Sequence, residues 1–269
     1  MWMITKIAVD PRNHERFTVY ALKENGEPVS FSVDQNVLVE FRLKKGAELD
    51  EFMLQEIVYA DEVKKAYHAA LSFLAYRMRS EKEITDHLKK KGTSDAVIRD
   101  VLHELRKHRY VDDREFAAAY VRTQMKTTMK GPLVIAKELE KLGISQELAV
   151  ESMRLFTFDE QLKTAKKLVE KAMKQTKKRS TLQWKQQIKQ LLQRKGFSRS
   201  VMEEVLAEYD ELQGEDQEWE ALEYHARKAH RRYEAYDGRE YEQKMKQTLY
   251  RKGFSLENIE KILGVLKEE

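Results

Sequence analysis

The sequence predicts a mainly α fold, an elongated tandem array of three-helix modules preceded by a small antiparallel β domain. Three observations predict it. A glycine-centred pattern recurs at Gly92, Gly143, Gly196 and Gly253, and Arg194-Lys195-Gly196-Phe197-Ser198 is repeated letter for letter at 251 to 255. Charged residues make up 36% of the 269, with three prolines and ten glycines, a composition of many solvated helices and few breaks. Within the first 46 residues, by contrast, apolar and polar side chains alternate along two short runs.

Those runs are 17–21 and 29–33, and Asn25-Gly26 between them suits the tight turn of a hairpin. Segments 3–9 and 37–43 are expected to add two further strands. Residues 1–46 are therefore assigned to the β domain.

The repeat reads as a helix ending and another beginning. Eight residues before each glycine lies Ile84, Ile135, Ile188 or Met245, and four before it Leu88, Leu139, Leu192 or Leu249, offsets that share one helix face. A cation stands two residues before it (Lys90, Lys141, Arg194, Arg251) and a serine two after it (Ser94, Ser145, Ser198, Ser255). Glycine tolerates the left-handed conformation at a helix end, the cation meets the negative end of the helix dipole, and serine caps the next helix. Ten and thirteen residues past each glycine come Leu102 and Leu105, Met153 and Phe156, Leu206 and Tyr209, and Leu263 and Leu266, the buried face of that next helix. A third helical stretch lies upstream in each case, at 61–78, 113–125, 159–173 and 215–233. The modules are then 47–110, 111–157, 158–213 and 214–269. About 50 residues bury too little surface to stand comfortably alone, so neighbouring modules are expected to share interfaces.

The chain has no cysteine, which excludes disulfides and thiolate metal sites. No apolar run approaches the roughly 18 residues of a membrane span, and the Met-Trp-Met-Ile start lacks the apolar region of a secretory signal. A soluble, cytoplasmic monomer with no membrane partner is expected. No phosphate-binding glycine loop or nucleophile elbow occurs. His103 and His108, and His225 and His230, are five apart, off the four-residue spacing of a helical metal clamp. Asp112-Asp113 lacks the further converging oxygens a magnesium site needs. No catalytic residue, metal or cofactor is assigned.

The stretch YRMRSEKEITDHLKKKG, with Arg77, Ser80, Glu83 and Leu88, and the stretch that begins YVDDREFAAAYVRTQMK carry a recognisable pattern. Its marks are Tyr110, Asp112, Asp113, Phe116, Tyr120, the Lys130-Gly131-Pro132 triplet, Leu139 and Gly143. This pattern resembles the RecX regulatory family, over about residues 61–160. The resemblance implies tandem three-helix modules that bind and restrain the RecA recombinase filament, with single-stranded DNA contacted directly or through the filament. The family is usually described with three modules, so the last Arg-Lys-Gly-Phe-Ser block and the N-terminal strands are additions to it. The same residues have architectural readings. Asp112 or Asp113 can cap a helix beginning near Arg114, and Phe116 and Tyr120 share its buried face. Pro132 suits the first turn of the next helix, and Gly131 supplies the bend before it.

Charge is unevenly spread. From 163 to 199 thirteen Lys or Arg face one acid, Glu170, whereas 203 to 223 holds ten acids and no base. Such separation in a chain of net charge +4 points to a surface read by a partner. The residues assigned to filament or DNA contact are Arg77, Arg122, Lys126, Lys130, Lys163, Lys166, Lys167, Lys171, Lys174, Lys177, Lys178, Arg179, Lys185, Arg194, Lys195 and Arg199. Trp184 is assigned to a gap between modules, with stacking on a base as the alternative. Two other functions compete. One is autonomous DNA binding through the glycine-turn helix pairs, to which Asp95, Glu147 and Glu257 near three of the helix starts are poorly suited. The other is a helical protein-interaction scaffold.

Overall fold

The computed structural model describes residues 1–173, 179–212 and 215–268; Lys174, Lys177 and Lys178 lie outside them. It forms two compact units, Met1–Phe116 with Leu142–Ser145, and Ala117–Lys141 with Gln146–Glu269.

The first unit opens with β1 (Trp2–Asp10), β2 (Asn13–Lys23) and β3 (Pro28–Asp34), and β4 is the two-residue Glu48–Leu49. All pairs are antiparallel, in the order β3-β2-β1-β4. The expected hairpin forms, with Gly26 at φ 79° in its turn. The expected strand at 37–43 does not. That segment is instead α1 (Gln35–Glu40), because Asp34 accepts a hydrogen bond from the Asn36 amide at 2.8 Å and caps a helical turn. Val37 is fully buried while Val39 is 65% exposed, so the run follows the helical period and not the strand period. A short apolar run carries both possibilities in its sequence.

The first long helix, α2 (Glu51–Leu74), starts ten residues before the expected 61, capped by Asp50 on the Met53 amide at 2.7 Å. Its added turns put Ile57 and Ala60 into the core of the sheet with Ile4, Val19, Val33 and Leu49. Asp61 ties sheet to helix. Its carboxylate accepts both oxygens' worth of bonding from the Arg16 guanidinium (2.9 and 3.1 Å), the Asp34 amide at 2.8 Å and Lys65 at 2.8 Å. Burial pushes this carboxyl upward, but Arg16, Lys65 and the Asp34 amide outweigh it and hold it below the ordinary 3.8. A depressed folded value contributes stability at higher pH that is lost as pH falls. The protein is expected to weaken below about pH 4, and Asp61→Asn to flatten that acid limb. Urea titrations of both across pH 3 to 7 check this; parallel curves would remove Asp61 from the acid response.

Helices α3 (Glu81–Lys90) and α4 (Asp95–Lys107) complete the first three-helix group, whose core joins Ala66, Ala70, Ile84, Leu88, Val101 and Leu105. Then follow α5 (Asp113–Thr127), α6 (Pro132–Lys141) and α7 (Gln146–Met153); α8 (Phe158–Met173), α9 (Thr181–Lys195) and α10 (Arg199–Leu212); and α11 (Glu215–Tyr233), α12 (Gly238–Arg251) and α13 (Leu256–Glu268). The four pattern glycines have φ between 83° and 86°, as a left-handed helix end requires. Ser94, Ser198 and Ser255 accept the amides of Val97, Val201 and Asn258, so they cap the helices that follow. Asp112 is the cap of α5, accepting from Arg114 at 2.8 Å and Glu115 at 3.1 Å.

The glycine turns also do something the repeat does not announce. In the first unit the Ser80 hydroxyl, capping α3, donates to the Leu142 carbonyl at 2.7 Å, and a Cβ on Gly143 would lie 2.5 Å from that of Lys82. In the second unit the Gly131 amide donates to the Lys195 carbonyl at 2.7 Å and Leu133 to the Gly196 carbonyl at 3.1 Å. There too the Ser180 hydroxyl donates to the Lys252 carbonyl, and a Cβ on Gly253 would meet Leu182. In each case the N-terminus of one middle helix seats on the glycine end of the next. At Gly196 free N–H groups meet free carbonyls, at Gly143 and Gly253 a serine hydroxyl donates instead, and the positive end of one helix dipole meets the negative end of another. Gly131 is therefore needed for close approach and not for a bend: its φ is not positive, and an added Cβ would lie 2.5 Å from the Gly196 carbonyl carbon. Ser80 is fully buried and both accepts from Glu83 and donates to Leu142. Ser80→Ala is expected to cost about 1–3 kcal/mol, a lost cap plus an unpaired carbonyl. Unchanged urea stability would count against the junction.

Candidate nucleic-acid and filament interface

The basic stretch folds onto α8 and α9, separated by undescribed residues. On α8 the buried positions are Ala165, Leu168 and Val169, which turns Lys163, Lys167 and Lys171 outward at four-residue spacing. None of the three has an ion-pair partner among the described residues. Like charges four apart repel, by about 0.2–0.5 kcal/mol per pair, so this stripe is a small cost to the helix that folding does not recover. Lys166, one position off the stripe, is only part-exposed and is paired with Glu208.

The other assigned cations divide in the same way. Arg122 and Lys126 are exposed and four apart on α5, again without an ion-pair partner among the described residues. Lys130 is held by Glu138 at 2.6 and 2.9 Å and by Gln124 at 3.2 Å; Tyr120 donates to the same Glu138 at 3.0 Å. Its charge is spent inside the protein. Arg77 pairs with Glu83, whose carboxyl burial pushes up, but which Arg77, the Ser80 amide and Arg79 hold below its ordinary value. Arg179 is exposed and bonded to Gln187, Lys185 is half-buried, and Arg194 is exposed near the end of α9. Lys195 serves the junction through its backbone carbonyl. Arg199 is 88% exposed at the side chain, with Glu203 at 2.6 Å. Lys174, Lys177 and Lys178 lie outside the described residues.

Of the architectural motif, Phe116 and Leu139 lie in the interior and Gly143 has φ 86°, while Tyr110 is 55% exposed. Pro132 opens α6. Asp113 accepts the Glu81 amide at 2.9 Å, and burial first, then the charges of Glu81 and Asp112, raise its carboxyl above the ordinary value despite that bond. Trp184 fills neither an inter-module gap nor an exposed stacking position. It is 4% exposed within the core of α8, α9 and α10, its ring 5.7 Å from that of Tyr209. Among the described residues no group of three or more His, Cys, Asp or Glu is placed to hold a metal ion, and no helix is long and apolar enough to cross a membrane.

Sequence reasoning missed the partners that the glycine turns receive: Lys82, Leu133, Leu182 and Glu218, which accepts the Thr181 amide at 2.7 Å. The two residues of the Glu218 bond stand 37 positions apart, and the hydroxyl–carbonyl pairs at Gly143 and Gly253 stand 62 and 72 apart, beyond any local periodicity.

Comparison with known proteins places this architecture. The model of the first RecX three-helix domain matches residues 66–105 and that of the second 112–153. The model of the third matches twice, at 159–206 and 215–263, so the final three helices are a second copy of that domain type. The regulatory protein RecX of Geobacillus sp. (strain WCH70) is 63% identical over 269 residues, 100% of this chain and 98% of the relative. That of Bacillus subtilis (strain 168) is 49% identical over 264 residues, covering 98% of each. A crystal structure of regulatory protein RecX superposes with a TM-score of 0.67 at 35% identity, covering 76% of this chain and 98% of that one. RecX from Lactobacillus salivarius gives 0.54 at 34% identity over 56% of this chain and 98% of its own. Sequence, helix grouping and solved relatives agree, and the chain belongs to the RecX regulatory protein family.

Proposed function

We propose that this protein is a non-enzymatic, cytoplasmic regulator that lies in the groove of a RecA recombinase filament on single-stranded DNA and inhibits its activity. Family membership supports a regulatory role connected with the recombinase. The observation that carries a binding surface is the exposed stripe Lys163, Lys167 and Lys171, cations without an ion-pair partner among the described residues. Arg122, Lys126 and Arg194 extend the set of available cations, whereas Lys130, Lys166 and Arg77 drop out because intramolecular acids hold them. Modules linked in one chain convert weak contacts into avid ones through high effective concentration. We divide the chain for this purpose into 1–46, 47–110, 111–157, 158–213 and 214–269.

Autonomous DNA reading through the glycine-turn pairs is less well supported. Arg199, the one cation at such a helix start free of nearby acids in the sequence, is engaged by Glu203. The test is ATP hydrolysis by the recombinase on single-stranded DNA, with this protein at substoichiometric amounts, beside a titration of DNA alone. Inhibition at low ratios with weak binding to bare DNA is expected. Tight, sequence-dependent binding to DNA without recombinase would overturn the proposal in favour of an autonomous DNA-binding protein.

A further inference from the structure

Three glycine ends of middle helices receive the N-terminus of a neighbouring helix; the fourth, Gly92, receives none among the described residues. A Cβ at Gly92 would meet no atom within 4 Å, and Lys91, Gly92, Thr93 and Ser94 face an open cleft of about 530 Å³ with Glu62, Lys65, Ala66 and Ala69 of α2.

The filled junctions define what such an end accepts. The carbonyl before each glycine takes a hydrogen bond, from the Ser80 hydroxyl onto Leu142, the Gly131 amide onto Lys195 and the Ser180 hydroxyl onto Lys252. Two residues past that first residue, an aliphatic stem helps cover the glycine: Lys82 on Gly143, Leu133 together with Val134 on Gly196, and Leu182 together with Ser180 on Gly253. In two of the three, a carboxylate on the receiving group takes the next amide, Asp113 from Glu81 at 2.9 Å and Glu218 from Thr181 at 2.7 Å. Asp113 stands thirty residues before Gly143, as Glu62 stands thirty before Gly92. The Lys91 carbonyl accepts no hydrogen bond among the described residues. Carbonyl, glycine and carboxylate are all present at this end.

We propose that the Gly92 cleft is a docking site for the N-terminus of an α-helix on a partner protein. That helix carries Ser or Thr as its N-cap and a residue with a long aliphatic stem two positions later. Charge complementarity specifies it: the positive end of the incoming helix meets the negative end of α3 and the Glu62 carboxylate, while of the two lysines on the lining, Lys65 and Lys91, Lys65 is held by Asp61 at 2.8 Å. A second copy of this chain is a poor occupant. Its middle helix α12 has Asp237 at the N-cap position, a residue that makes no side-chain cap hydrogen bond, has no hydroxyl to donate and would bring a carboxylate towards Glu62. The site does not depend on the recombinase reading, and its test uses no recombinase.

The probe is a fluorescently labelled peptide of residues 78–91, which carries Ser80 and Lys82, titrated against the full chain and followed by anisotropy. Saturable binding is expected, weakened about tenfold or more by Ser80→Ala in the peptide and by Glu62→Lys or Ala69→Arg in the protein, the loss of one charge-assisted bond or of the cleft. No saturation at about 1 mM peptide, or binding indifferent to both protein variants, would overturn the proposal. Concentration-dependent self-association of the unlabelled wild-type chain in sedimentation, abolished by Glu62→Lys, would instead make a second copy the occupant and overturn the partner assignment.

Discussion

Gly196→Ala is expected to lower stability by about 2–5 kcal/mol, the sum of two separable penalties. Gly196 sits at φ 84°, where an L side chain costs roughly 1–2 kcal/mol. The new Cβ would also lie 2.7 Å from the Val134 amide nitrogen and 3.3 Å from the Leu133 Cβ, an overpacking of about 1–3 kcal/mol. Backbone cannot rotate away as a side-chain tip can, so the contact opens the junction between α6 and α9 or strains both. Two companion variants isolate the terms. Gly92→Ala has φ 83° and open space, so only the conformational penalty of roughly 1–2 kcal/mol applies. Gly131→Ala carries no positive φ but a 2.5 Å approach to the Gly196 carbonyl carbon, so only the packing penalty applies. Urea denaturation of the three checks this. Equal losses at Gly92 and Gly196 would show that the junction contributes nothing and that the glycine serves its own turn alone.

Reversing Lys163, Lys167 and Lys171 to Glu together is expected to weaken binding to single-stranded DNA or to the recombinase filament roughly 100-fold near 0.1 M salt. Each phosphate neutralised on a single strand contributes about 0.7 to the log–log salt slope, so three lost contacts lower the slope by about 2, or about two decades of affinity per decade of salt. The fold is expected to be unaffected, because the three positions are exposed and glutamates four apart repel as the lysines did. Circular dichroism and a salt series of binding titrations separate the effects. A parallel reversal of Lys166 is the comparison: it breaks the pair with Glu208 and is expected to change stability more than binding. An unchanged slope in the triple variant would remove α8 from the interface and favour a scaffold whose charges serve other proteins.

The two variants draw on very different parts of what the sequence could show. The stripe on α8 was legible as an excess of charge, since thirteen cations against one acid need no coordinates to count. Which cations remain available was not, because Lys130 and Lys166 are neutralised by Glu138 and Glu208, and those pairings depend on how helices pack. Trp184 illustrates the same limit: its position on α9 was readable, but not that Tyr209 and Val169 would close over it. Segment 37–43 failed for a different reason, since one cap at Asp34 tips a short apolar run from strand to helix.

The sequence by itself determined the three-helix character of the fold, the glycine ends with their capping serines, and the family. All of these are local: they rest on the helical period, on backbone sterics at single residues and on hydrogen bonds spanning two or three positions. Only the tertiary structure decided what the glycine ends are for. Ser80 finds Leu142, Gly131 finds Lys195 and Ser180 finds Lys252 across more than sixty residues, contacts set by the packing of whole helices. The same local signal at Gly92 meets no such partner among the described residues.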